Sequence, residues 1–122
     1  MTNVDITYTN GYFRLKINGH AGYAAANGLP EGSDIVCAAV SILGQTLAQY
    51  LMDLEADGEA VIYQREILAG KIDIRAMIKP KRTREAEQAA EVIKRGFDLL
   101  EERYPEYIRK GWGHGGEKCD MG

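Results

Sequence analysis

The sequence predicts an α+β domain: a four-stranded, mostly antiparallel sheet with two long helices packed on it, in the order ββαββα. Three observations lead there. Short segments alternate apolar with polar residues, two longer segments repeat apolar residues every three or four positions, and tight-turn residues separate the members of each strand pair. At 122 residues the chain has room for one packed core. With 45% hydrophobic and 27% charged residues it falls in the globular rather than the disordered range. We read residues 1–108 as the single domain and 109–122, a glycine-rich stretch without periodicity, as a flexible tail.

The elements follow in order. Val4, Ile6 and Tyr8 alternate with Asp5, Thr7 and Thr9, and Phe13, Leu15 and Ile17 alternate with Tyr12, Arg14 and Lys16. Between them lies Asn10-Gly11, a pair that tolerates the positive φ angles of a tight hairpin, so the two strands are expected to be antiparallel neighbours. From Gly19 to Ser33 the alternation stops, and Gly19, Gly22, Gly28, Pro30 and Gly32 mark a loop. Ser33 or Asp34 then caps a helix whose apolar positions run through Val40, Leu43, Leu47, Tyr50, Leu51 and Leu54 to a turn at Gly58. A second strand pair is expected at Ala60 to Leu68 and Lys71 to Lys79, around Ala69-Gly70, with Pro80 ending it. Thr83 is the expected cap of a last helix carrying Ala86, Ala90, Ile93, Phe97, Leu100 and Tyr104, stopped or kinked by Pro105.

Charge and composition narrow the function. The formal net charge of −3 gives no field that would draw the chain to phosphate backbones, so nucleic acid is not an expected partner. The basic group Lys79, Lys81, Arg82 and Arg84 reads as a solvated turn between strand and helix. Residues 1–10 contain no basic segment followed by an apolar run, as an export signal would. The apolar stretch Ile35 to Gly44 is shorter than the ~18 residues of a spanning helix, and the expectation is a cytoplasmic protein without a membrane partner. The two cysteines, Cys37 and Cys119, are then expected to remain thiols.

Cys37 falls in the first turn after the Ser33 or Asp34 cap, where unpaired backbone N–H groups and the positive end of the helix dipole favour an anion. A thiolate is such an anion, and the same donors are placed to hold the oxyanion formed when a carbonyl is attacked. A free cysteine is otherwise a small apolar core residue. His20, in the glycine-flanked segment after the second strand, supplies what a core cysteine lacks, since imidazole is the usual base for a nucleophilic thiol. Asp34 and Ser41, three residues before and four after Cys37, share its helix face. Asp34 is read first as the cap and second as an orienter of His20; Ser41 is read as a donor to thiolate or substrate, or to a carbonyl one turn back. A zinc site from His20, Cys37, His114 and Cys119 has the right ligand number but matches no compact spacing, so neither metal nor cofactor is expected.

The segment Gly19-His20-Ala21, a glycine-rich loop, and then Gly32-Ser33-Asp34-Ile35-Val36-Cys37-Ala38-Ala39-Val40-Ser41 resembles the signature of the bacterial ribosomal-processing cysteine protease (Prp) family. The resemblance implies a catalytic dyad of Cys37 and His20. Asp34 and Ser41 are taken as supporting residues from their place on the helix face, and Gly19, Ala21, Gly22 and Gly32 as the substrate loop. The resemblance also implies a mixed α and β fold, a homodimer, and a protein substrate: a large-subunit ribosomal protein that loses a short N-terminal extension after an apolar or aromatic residue. The loop between His20 and Cys37 is several residues longer than the family's usual one, which makes Tyr23 to Glu31 a candidate lid. Two alternatives stay open, a paralogue that matures another protein such as a phage structural protein, and a non-catalytic interaction domain of the same fold.

Overall fold

The computed structural model describes residues 1–20, 22–29, 34–68 and 70–112. The order is β1 (Thr2–Thr9), β2 (Tyr12–Asn18), α1 (Tyr23–Ala26), α2 (Ile35–Ala56), β3 (Ala60–Leu68), β4 (Lys71–Ile78), α3 (Pro80–Arg103) and β5 (Ile108–Lys110). The α+β class and both hairpins stand as the alternation predicts. Asn10 and Gly11 turn the first hairpin at φ 49° and 89°. The sheet runs β3-β4-β2-β1-β5. Its inward rows are in register: Val4 opposite Ile17, Ile6 opposite Leu15, and Leu15 in turn opposite Ile74. Each of these side chains is buried.

Both long helices cover that one face. The buried stripe of α2, Val36, Val40, Leu47, Ala48, Leu51 and Leu54, follows the helical period and joins the sheet residues in a single core. At 22 residues α2 is, by length and composition, long and apolar enough to cross a membrane, which the shorter stretch considered above was not. Core helices pass the same test, and here the stripe lies against the sheet. From α3, Ala86, Ala90 and Phe97 are buried, with Ile93, Leu100 and Tyr104 packed at the margin.

Three expectations need correction. The sheet has five strands and is mixed, because β5 pairs parallel with β1 through Thr2 and Ile108, Asn3 and Arg109, and Val4 and Lys110. Arg109 and Lys110 therefore belong to the sheet and not to a flexible tail; residues 113–122 lie outside the described part. The loop after β2 contains the short helix α1, too brief to leave a periodic trace. Finally, α3 starts at Pro80 and not near Thr83. Proline has no N–H to lose at the first helical position, so it opens this helix, and the Thr83 hydroxyl donates to the Lys79 carbonyl at 3.0 Å instead of capping.

A buried charge cluster fastens β5. Lys110, its side chain 4% exposed, places Nζ 2.5 Å from Asp98 Oδ1 and 3.4 Å from Glu101 Oε1. Trp112 Nε1 donates to the same Asp98 oxygen at 2.9 Å, and its ring meets Phe97 edge-on with centroids 6.2 Å apart. Burial alone would raise the Asp98 pKa, but hydrogen bonds from Lys110 and Trp112, with the charge of Lys110, outweigh it and hold the carboxyl below its ordinary value. A carboxyl depressed in the folded state stabilises the fold above the unfolded pKa of about 3.9, and that contribution is lost as pH falls through the lower folded value. Asp98→Asn is expected to cost about 2 kcal/mol at pH 7, short of the ~3–5 kcal/mol for a buried charge with no partner left, since Glu101 still faces Lys110. Urea unfolding at pH 7 and pH 3 checks both points: the variant's deficit should shrink in acid.

Candidate active site

The N-terminus of α2 sets the nucleophile's position. Asp34 is the N-cap, in extended conformation, and its Oδ1 accepts the Cys37 amide at 2.9 Å. Its second oxygen, Oδ2, accepts the amide of Ala24 in α1 at 3.1 Å. One carboxylate thus caps α2 and pins the short helix of the loop beside it. Cys37 is half-buried, between the fully buried Val36 and the exposed Ala38. Ser41, one turn on, is exposed.

The opposite wall comes from the sheet. His20 follows the end of β2, where the amide of Gly19 donates to the Gly70 carbonyl at 2.9 Å and the hydroxyl of buried Thr2 donates to the Gly19 carbonyl at 3.2 Å. The segment that carries the imidazole is therefore tied both to the β3–β4 turn and to the start of β1. Thr2 is itself held by the chain entering β5, its amide donating to the Tyr107 carbonyl at 2.9 Å. Across the loop, Asn27 Nδ2 donates to the Tyr107 hydroxyl at 3.3 Å, so the chain just before β5 reaches the α1 side as well.

These two walls bring the residues named from the sequence together. His20, Cys37 and Ser41 line two hollows at once. One, of about 400 Å³, extends toward Gln45, Leu68 and Gly70. The other, of about 590 Å³, extends toward Ala24, Leu29 and Asp34. Gly19 lies in the wall of the first and Gly22 in that of the second. Ala21 and Gly32, also assigned to that loop, fall outside the described residues, as do Ser33, His114 and Cys119. Among the described residues no group of three or more His, Cys, Asp or Glu is gathered to hold a metal.

The oxyanion expectation changes in one respect. The amide of Cys37 is engaged by the Asp34 side chain and that of Ala38 by the Asp34 carbonyl at 3.0 Å, so neither is free to meet a substrate oxygen. A side-chain donor on the same helix face is the Ser41 hydroxyl. Sequence reasoning missed Thr2, Ala24, Gln45 and, as a part of the site, Gly70. Gln45, two turns beyond Cys37 at i+8, was visible in principle as the next position on that face; Thr2 and Ala24 act through single hydrogen bonds, to the Gly19 carbonyl and the Asp34 carboxylate, that leave no pattern.

Comparison with known proteins gives a family match and a likeness of fold. Residues 1–109 match the family described as cysteine protease Prp. No curated protein matches the chain. Among solved structures, it resembles an essential ribosomal processing protease Prp from S. aureus in complex with a covalently linked product peptide. That likeness has 23% identity and TM-score 0.61 over 93% of this chain and 100% of that one. The S. aureus protease with a substrate peptide gives 22% and 0.59 over 93% and 100%, and SMU.848 from Streptococcus mutans gives 24% and 0.57 over 90% and 91%. At these identities the structures speak for the fold, while the match over most of the chain speaks for the family. The chain belongs to the Prp family of cysteine proteases.

Proposed function

We propose that this cysteine peptidase is an endopeptidase that removes a short N-terminal extension from a large-subunit ribosomal protein, using Cys37 as nucleophile and His20 as its base, as a cytoplasmic homodimer. The observation that carries the reading is the shared wall: His20, Cys37 and Ser41 stand where two hollows meet. A polypeptide lying through both would leave chain on either side of the thiol, as cleavage within a chain demands. The ribosomal substrate rests on the family likeness, since the S. aureus structures are of a ribosomal processing protease; the dimer rests only on the resemblance of the sequence signature.

In this mechanism His20 accepts the Cys37 proton as Sγ attacks the scissile carbonyl, and the tetrahedral oxyanion is met by donors lining the cleft, Ser41 among them. The C–N bond then breaks, His20 returns the proton to the leaving amine, and a thioester remains on Cys37. Water, deprotonated by His20, attacks the thioester and releases the free acid and the thiol. Asp34 fixes the first turn of α2 against α1 so that Cys37 faces the cleft.

Incubation with the candidate ribosomal precursor, read by intact mass, tests the substrate. One N-terminal truncation, complete with the wild-type protein, is expected. A precursor left intact by protein whose Cys37 still reacts with iodoacetamide would direct the search to a different protein substrate.

A further inference from the structure

We propose that Gly70, in the β3–β4 turn, is a positioning residue for the reaction, its bare Cα serving as the seat of the His20 imidazole. This rests on the dyad reading above. A β-carbon built on Gly70 would stand 2.7 Å from both Cε1 and Nε2 of His20 and 3.3 Å from Cδ2. Carbon atoms do not approach a ring that closely, so the ring occupies space that only glycine leaves open. The Gly70 carbonyl accepts the Gly19 amide at 2.9 Å, so the turn holds the backbone before His20 and the ring after it. Gly70 also lines the hollow that contains Cys37.

The energetics separate this role from ordinary turn chemistry. His20 is exposed, and its ring is the far end of a flexible side chain, so a methyl at position 70 is relieved by moving the ring at little cost to the fold. Catalysis does not share that tolerance, because a base misplaced by about 1 Å can lose on the order of 10²-fold in rate. Gly70 has φ +74°, so alanine there also strains the backbone. Gly58 supplies the matched control: φ +75°, with nothing within 4 Å of a built β-carbon.

The experiment compares Gly70→Ala, Gly58→Ala and His20→Ala in the full chain, measuring melting temperature, precursor cleavage and the rate of Cys37 alkylation by iodoacetamide at pH 7. Gly70→Asn is run beside them, since asparagine accepts the left-handed backbone and still carries a β-carbon. The expected result is similar melting losses in the two alanine glycine variants. Both position-70 variants should lose roughly 10²-fold in cleavage, with alkylation slowed toward the His20→Ala rate, while Gly58→Ala stays at the wild-type level in both. Position-70 variants that fold and match Gly58→Ala in cleavage and alkylation would overturn the proposal with the dyad intact. Wild-type cleavage in His20→Ala would instead remove the dyad, and the seat with it.

Discussion

Replacing Cys37 with alanine is expected to abolish cleavage while leaving the fold and its melting temperature essentially unchanged. The loss should be on the order of 10⁶-fold, the scale reached when a covalent nucleophile is deleted from a protease that keeps its binding surface. The fold should tolerate the change for reasons visible in α2. The buried contacts of its first turns come from Val36 and Val40, and the capping bond to Asp34 Oδ1 comes from the backbone amide of residue 37, which alanine retains. Only a half-buried sulfur is removed, a cost of at most about 1 kcal/mol. Cleavage of the ribosomal precursor and a circular-dichroism melt measure the two halves of the expectation. Undiminished cleavage by the alanine variant would move the chemistry away from this thiol.

The fold was legible wherever local pattern and tertiary burial coincide. The alternation in β1, β2 and β4 marks the side chains that face the helices, and Asp34 was readable as a cap because its chemistry is satisfied within three residues, at the Cys37 amide. Cys37, His20 and Ser41 were readable as one site because the capped helix and the hairpin fix where each begins, and the structure puts all three in the same walls. What escaped depends on contacts distant in sequence. β5 is three residues long and owes its place to pairing with β1 and to the Lys110–Asp98 ion pair, neither of which leaves a period in residues 108–110. In the sequence Pro80 serves equally to end a strand or, lacking an N–H, to open the first turn of a helix, and only the geometry after β4 selects the second role. Gly70 reads as a turn glycine from its neighbours alone, and its contact with His20 emerges only when the two hairpins lie side by side.

His20→Ala is expected to lower kcat/KM by about 10²–10⁴-fold, the contribution of a positioned general base, with no comparable loss of stability. The side chain is exposed, and the fastening of its segment to Gly70 and Thr2 runs through the backbone of Gly19, so deleting the ring breaks none of those bonds. Alkylation of Cys37 at pH 7 should slow in the same variant, because the imidazole that accepts the thiol proton as Sγ attacks is gone. The position of the ring adds a stronger expectation. It lines both open hollows, the smaller of about 400 Å³, so free imidazole can reach the place the side chain vacates. Added imidazole should therefore restore part of the cleavage in His20→Ala and none in Cys37→Ala. A histidine that merely completed the packing of this turn would predict the reverse, with a lowered melting temperature and an activity that no external base recovers. Measuring rescue against melting temperature distinguishes a base from a structural residue.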